Sequence, residues 1–199
     1  MPEGELRDAI VAYAKSVAFH LENVFAIDGS RRSSRANAYF TGLGRKRRIA
    51  LFDTLIDQHP AEQIVAILAH EVGHYRLRHV AKGFLLGAAE AGLVLFLLGL
   101  VLQHPGLHES LRVSGEPLHA GLVAFGLLYT PLGTVLAVLS GLVSRRHERA
   151  ADLFAVETAP SARSLADALK KLSVVNLTHP TPHPLHVWLN CSHPPLAER

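Results

Sequence analysis

The sequence is poor in cysteine and in charged residues. Its one cysteine, Cys191, excludes an intrachain disulfide and a zinc site built from thiolates. The N-terminal residues 1–7 are polar and acidic, without the basic start and apolar stretch of a signal peptide. Only 19% of the residues are charged and 49% are hydrophobic, which directs attention to internal membrane segments. The net charge of +3 is too small to indicate a nucleic-acid partner.

Two long apolar stretches account for the low charge. Residues 83–103 contain one charged side chain, Glu90, and residues 121–143 contain none. As helices that rise about 1.5 Å per residue, both would be about 30 Å long or longer, which is enough to cross a bilayer core. Pro131 is better tolerated in a membrane helix than in a soluble one. These stretches predict a transmembrane hairpin, and the alternative is a buried hairpin in a soluble core.

Basic residues flank this hairpin and predict its orientation. Three precede the first stretch and three follow the second: Arg76, Arg78, Lys82, Arg145, Arg146 and Arg149. The connecting residues 104–120 hold one arginine against two glutamates. By the positive-inside rule we expect a multi-pass integral membrane protein with both chain ends and the active site toward the cytoplasm. The basic run 45–48 is typical of a solvated turn, and near a bilayer it could contact anionic lipid.

The segments outside the hairpin predict a mainly α-helical fold with a small β-sheet. Apolar periodicity indicates helices over residues 3–20 and 60–82, the second starting at a proline. Three short β-like runs separated by turns lie between these helices: residues 24–27, 37–41 and 49–52. We expect them to form a small sheet against the first helix.

We predict one membrane-embedded domain over residues 1–199, made of three parts. Residues 1–82 form the first helix, the sheet and the second helix, and residues 83–143 form the hairpin. Residues 144–199 follow with one helix to about Ala159, another from Ser161 to about Val175, and a folded loop over residues 178–199 that is rich in proline and histidine.

The second helix carries the motif His70-Glu71-Val72-Gly73-His74, an HExxH. Helix positions four residues apart share a face, so both imidazoles can bind one zinc ion. Glu71 lies beside this site and can take a proton from an activated water and pass it to the leaving amine. Gly73 is a poor helix residue, and we expect it to let another segment pack close to the site.

A catalytic zinc ion takes a third protein ligand, and Glu148 is the candidate. Glu148 and Asp152 form an ExxxD whose carboxylates share one helix face. We expect Glu148 to bind zinc and Asp152 to fix the tautomer of a ligand histidine. A charged helix flank just outside a membrane is the alternative. The hairpin favours the site, because two antiparallel spans return residues 146–152 to the depth of residues 70–78.

These motifs together resemble the zinc-binding half of the type I CAAX prenyl endopeptidases, which are integral-membrane zinc metalloproteases with a zincin-like fold. Besides the HExxH and ExxxD motifs, the resemblance rests on six segments that span nearly the whole chain. They are Pro2-Glu-Gly-Glu-Leu6, Asp28-Gly-Ser30, Asn37-Ala-Tyr-Phe-Thr-Gly42, Arg47-Arg-Ile-Ala-Leu-Phe-Asp-Thr-Leu55, Leu153-Phe-Ala155 and Ser192-His-Pro-Pro-Leu-Ala-Glu-Arg199.

The resemblance implies one zinc ion per chain, held by His70, His74 and Glu148, with Glu71 as the base and Asp152 behind the ligands. It also implies that the segment containing Asn37, Ala38 and Tyr39 is an edge strand that binds substrate backbone. It places His193 and Arg199 near the active site, where either could stabilise the oxyanion or bind the substrate terminus. Anchoring of the C-terminal loop is the alternative for both.

The resemblance also implies a peptide or protein substrate, and a prenylated one in the family. Family members have seven membrane helices around a water-filled chamber, whereas two spans are present here. We therefore expect either a homo-oligomer or a further N-terminal membrane portion. The alternatives to a zinc endopeptidase are an inactive membrane scaffold or fragment that keeps the zinc site, and a soluble metallohydrolase.

Several other residues are expected to have no direct role in the chemistry. His79 should point away from the ligand face, and Tyr75 should project away from the site. Glu90, though ionisable within a span, lies near one end of it and can reach polar surroundings. The remaining histidines are expected to be solvated in the outer loop or to line the site on a rigid loop; they are His104, His108, His119, His179, His183 and His186.

Overall fold

The computed structural model describes residues 3–31, 38–41, 48–104, 106, 118–175, 179 and 181–199, with residues 38–41 described by their backbone. The elements in chain order are α1 (Glu5–Ser16), β1 (Asn23–Ile27), β2 (Ala38–Thr41), β3 (Arg48–Phe52), α2 (Asp53–Gln58), α3 (Ala61–Arg76), α4 (His79–Leu102), α5 (Leu118–Thr158), α6 (Ala162–Val175), α7 (Pro184–Asn190) and a 3₁₀ turn (Leu196–Glu198). The chain is mainly helical with a small sheet, so the predicted fold class is confirmed.

The small sheet has the order β1-β3-β2, with β1 parallel and β2 antiparallel to β3. β2 forms one edge of the sheet in the described part of the chain. The three predicted strands are confirmed, except that Asn37 lies outside the described residues. The turn after β1 is fastened to the start of α2, because Oδ1 of Asp53 accepts hydrogen bonds from the backbone amides of Gly29 and Ser30 at 3.0 Å each.

The core forms around α3, whose apolar residues recur at helical spacing and are buried. Ile64, Leu68 and Val72 of α3 are each at most 2% exposed. They belong to one cluster with residues of α1, of the sheet, and of α5 and α6; these include Ile10, Tyr13, Val24, Ile49, Leu51, Ala155 and Leu165. The HExxH motif therefore lies on the most enclosed helix of the fold.

The predicted helix over residues 60–82 is wrong in one respect, because it is two helices with a bend between them. α3 ends at Arg76, and Arg78 lies in the left-handed region at φ 56° before α4 begins at His79. The guanidinium of Arg76 donates hydrogen bonds to the carbonyls of Val17 and Ala18, which ties the end of α3 to the end of α1. This tertiary contact fixes the place where the chain turns into the apolar hairpin.

The hairpin consists of α4 and α5, and both are long and apolar enough to cross a membrane by length and composition. In the most apolar 18-residue segment of each helix, 0% of α4 and 11% of α5 is buried among the described residues. The hairpin therefore does not form the core of the described part of the chain. α5 runs without interruption from the second apolar stretch through the ExxxD motif over 41 residues. The hydroxyl of Ser140 donates a hydrogen bond to Glu90 and joins the two helices.

The C-terminal segment contains the short helix α7, so its prediction as a loop is wrong in that part. Pro184 starts α7, and the ring of His183 accepts a hydrogen bond from the backbone amide of Leu185. The buried Arg145 of α5 donates to the carbonyls of Val187 at 3.2 Å and Cys191 at 2.5 Å. These bonds hold the end of the chain against α5, beside the HExxH motif.

Candidate metal centre

His70, His74 and Glu148 point their ligand atoms at one place between α3 and α5. The Nε2 atoms of the two histidines are 3.0 Å apart. Oε2 of Glu148 lies 3.6 Å from Nε2 of His70, and its Oε1 lies 3.3 Å from Nε2 of His74. All three ligand atoms lie within 4.8 Å of one another, and this is the one such group of three found among the described residues. These residues could hold one metal ion.

The chemistry of this group fits zinc. Two imidazoles and one carboxylate form a donor set that catalytic zinc takes, with a fourth position left for water or substrate. Burial alone would lower the pKa of His74, but the hydrogen bond and charge of Glu148 outweigh it and raise this pKa. The pocket thus favours a positive charge, and a bound zinc ion would supply that charge in place of the proton.

The close approach of α3 and α5 is what brings Glu148 to the histidines. A Cβ atom on Gly73 would lie 3.1 Å from the Cα and the carbonyl oxygen of Ala151 and 3.2 Å from Cβ of Phe154. Most side chains at this position would therefore hold the two helices apart. The expectation that Gly73 lets another segment pack close to the site is confirmed.

Asp152 lies behind His70, on the far side from Glu148. Its Oδ1 is 2.8 Å from Nδ1 of His70, although the N–H direction is not aligned with that oxygen. Arg199 holds the carboxylate of Asp152 through Nε at 2.7 Å and Nη2 at 2.5 Å. Nη2 of Arg199 is also 3.6 Å from Oε2 of Glu148, so this guanidinium contacts both carboxylates.

The side chains of Arg199 and Glu71 are both largely buried, but the pKa of each is raised for a different reason. Burial works against the charge of Arg199, but the hydrogen bond and the charge of Asp152 outweigh it and raise the pKa. Burial raises the pKa of Glu71, and the charges of His70 and His74 oppose this rise. A carboxyl whose pKa is moved toward neutrality is suited to accept and then deliver a proton.

His193 lies at the open side of the centre. Its Nε2 is 3.5 Å from Oε1 of Glu148, and its side chain is 64% exposed. A cavity of about 600 Å³ adjoins it and is lined in part by Arg199, Cys191, His186 and His179. A ligand in this cavity would meet His193 beside Glu148 and two further histidines, His179 and His186. The catalytic roles of His193 and Arg199 stay predictions.

The sequence analysis assigned no contact with the site to His79 or His147. The expectation that His79 points away from the site is wrong, because its Nδ1 lies 3.1 Å from Nδ1 of His74. The ring of His147 stacks on His79, with centroids 4.1 Å apart and planes 10° apart. Both histidines line a second cavity of about 400 Å³, which reaches Glu90 between α4 and α5. Because the chain bends at Arg78, the side chain of His79 points toward His74.

The remaining predicted positions lie around the centre or outside the described residues. Ala38 and Tyr39 belong to β2, and β2 contacts α3. The substrate-binding role of this strand stays a prediction. Tyr75 is 43% exposed, and its ring meets Phe19 edge to face. His108 lies outside the described residues.

Comparison with known proteins places the whole chain in one family. The model of peptidase family M48 matches residues 1–199. CAAX prenyl protease 1 homolog of Arabidopsis thaliana is 40% identical over 200 residues, covering 100% of this chain and 47% of that protein. CAAX prenyl protease 1 of Saccharomyces cerevisiae is 34% identical over 215 residues, with the same coverage. The crystal structure of S. mikatae Ste24p superposes with a TM-score of 0.84 at 34% identity, covering 100% of this chain and 49% of that one. The chain thus spans about half the length of the relatives it matches.

Proposed function

The chain belongs to peptidase family M48, and from that premise we propose that it is a zinc-dependent membrane endopeptidase that resembles the CAAX prenyl proteases. One observation carries the proposal: the ligand atoms of His70, His74 and Glu148 lie within 4.8 Å of one another, with Glu71 between the two histidines in sequence. Peptidases of this kind need such a donor set and such a base.

In this proposal His70, His74 and Glu148 hold one zinc ion per chain. When bound, zinc supplies Lewis-acid activation of a water molecule and of the substrate carbonyl. Glu71 accepts a proton from the attacking water as the new C–O bond forms. It then delivers this proton to the nitrogen of the leaving amine as the C–N bond breaks. Asp152 orients the ring of His70, and Arg199 holds Asp152 in place.

The surrounding residues would bind and orient the substrate. The edge strand β2 offers backbone groups to an extended peptide, since it lies at the border of the described sheet and contacts α3. His193 is exposed beside Glu148 and can donate a hydrogen bond to the oxyanion. The proposed substrate is a peptide or protein, with a prenylated protein as the specific case.

We further propose that residues 1–199 act as one membrane-embedded unit, with the metal centre facing the cytoplasm. The basic residues on either side of the hairpin support this orientation. The apolar side chains exposed on α4 and α5 fit contact with lipid, with a second copy of the chain, or with further membrane helices.

Glu71→Gln tests the proposal. The variant should retain one zinc ion per chain, measured by elemental analysis, while hydrolysis of a prenylated peptide falls by a factor of about 10²–10⁴. Glu157→Gln, which removes an exposed carboxylate of α5, is the matched control and should keep full activity. Activity of Glu71→Gln equal to wild type, with the metal bound, would refute the assigned base. Zinc binding without any turnover by the wild-type protein would support the inactive scaffold instead.

A further inference from the structure

Each candidate histidine ligand has a residue next to its second ring nitrogen. Behind His70 lies the carboxylate of Asp152, with Nδ1 and Oδ1 2.8 Å apart. Behind His74 lies the ring of His79, with the two Nδ1 atoms 3.1 Å apart in a hydrogen bond. The HExxH and ExxxD motifs provide the first of these pairs, whereas the second involves a histidine outside both motifs.

The chemistry of imidazole fixes the direction of the hydrogen bond between His74 and His79. A neutral ring that binds a metal through Nε2 carries its proton on Nδ1. His74 must therefore donate from Nδ1, and Nδ1 of His79 must accept. An acceptor at Nδ1 requires that His79 itself is neutral, with its own proton on Nε2.

His79 is held in this position by its surroundings. The residue is 6% exposed, and its ring stacks on His147 of α5 with planes 10° apart. The left-handed conformation of Arg78 turns the chain at the start of α4, where His79 is the first residue. The ring is thus enclosed between the end of α3 and the side of α5, which limits its freedom to leave His74.

We propose that His79 is a positioning residue that holds the metal ligand His74 by accepting the hydrogen bond from its Nδ1. This inference rests on the proposed function, since it takes His74 as a zinc ligand. The two ligands then differ in their surroundings, because the carboxylate of Asp152 lies behind His70 and the neutral ring of His79 lies behind His74. His147 keeps the ring of His79 in plane by stacking.

The test measures zinc affinity, by competition with a chelator, in detergent-solubilised wild-type protein and three variants. His79→Leu removes the acceptor and keeps an apolar side chain in the buried position. His79→Asn places a carbonyl oxygen at about the reach of Nδ1 and restores an acceptor. His59→Leu is the control, because His59 is 4% exposed and precedes the first residue of α3, whereas His70 and His74 lie in the second half of that helix.

We expect His79→Leu to bind zinc about 10–100-fold more weakly than wild type, with His79→Asn recovering most of this loss. His59→Leu should lower the unfolding temperature and leave zinc affinity unchanged. Thermal unfolding of the metal-free proteins separates loss of folding from loss of the hydrogen bond.

Two results would overturn the inference. One is wild-type zinc affinity in His79→Leu. The other is an equal loss in His79→Leu and His79→Asn, which would assign the effect to packing. If the wild-type protein itself binds no zinc, the proposed function fails. If it binds zinc and His79→Leu binds equally well, the inference alone fails.

Discussion

Replacement of Gly73 by alanine tests how strongly the metal centre depends on the contact between α3 and α5. The new Cβ would lie 3.1 Å from backbone atoms of Ala151, so the helices must separate by a few tenths of an ångström. Carbon atoms pack best at about 3.5–4.0 Å. Overpacking of this kind costs about 1–3 kcal/mol, and the better helix propensity of alanine offsets about 1 kcal/mol of it. We expect the free energy of unfolding to fall by about 0–2 kcal/mol.

The same separation should weaken metal binding beyond its effect on the fold. Ala151 lies between Glu148 and Asp152 on α5, so a shift of this helix moves both carboxylates away from the histidines. A functional site needs its groups within about 0.5 Å of the productive geometry. We expect the dissociation constant for zinc to rise about tenfold, which corresponds to about 1.4 kcal/mol.

Chelator competition and thermal unfolding, measured on the same detergent-solubilised preparations, separate these two effects. Gly92→Ala in α4 is the matched control, because among the described residues its Cβ would meet no heavy atom within 4 Å. This control should keep wild-type zinc affinity. If Gly73→Ala also binds zinc as tightly as wild type, the contact between the helices does not set the position of Glu148, and the reasoning is refuted.

Two further predictions concern the stability of the fold. The hydroxyl of Ser30, followed by backbone amides, lowers the pKa of Asp53 from its ordinary value of 3.8. The stability that Asp53 contributes is therefore present above about pH 4 and is lost as the pH falls through the lowered pKa. Asp53→Asn should flatten this acid loss in thermal unfolding between about pH 2 and pH 5, and an unchanged profile would contradict the assignment. Ser140→Ala removes the hydrogen bond to Glu90 and should lower the free energy of unfolding in detergent by about 1 kcal/mol. An equal loss in the control Ser144→Ala would show that this bond is not the cause.

Features that depend on spacing along one helix could be predicted from the sequence. His70 and His74 are four residues apart on α3, and this alone puts their rings on one face. The lengths and compositions of the two apolar stretches sufficed for the hairpin. The poor helix propensity of Gly73 pointed to a close helix contact before any partner was known, because a glycine inside a helix needs a compensating reason.

The bend after α3 could not be predicted, because no glycine or proline marks it. Its position depends on the contact of Arg76 with carbonyls at the end of α1, which are 58 and 59 residues away in sequence. Helical periodicity continued through Arg78 placed His79 on the wrong face. The residue that contacts His74 was missed for this reason, since a bend changes the direction of every later side chain.

The helix α7 was missed for a different reason. Its segment contains prolines on both sides, which favoured a loop. Pro184, however, occupies the first turn of the helix, where proline is well tolerated. A seven-residue helix has little stability by itself. The hydrogen bonds from the buried Arg145 hold it, and a guanidinium on another element cannot be read from the local sequence.

The antiparallel pairing of α3 and α5 explains why two motifs with the same spacing suffice for the metal centre. His74 of α3 lies beside Glu148 of α5, and His70 of α3 lies beside Asp152 of α5. The spacing of four residues between the two histidines therefore matches the spacing of four residues between the two carboxylates. Both carboxylates lie on the helix that also contains the second apolar stretch, without a break between them. Any rotation or tilt of that stretch therefore moves the carboxylates relative to the histidines. We therefore expect the packing of the hairpin to set the register of the candidate metal centre.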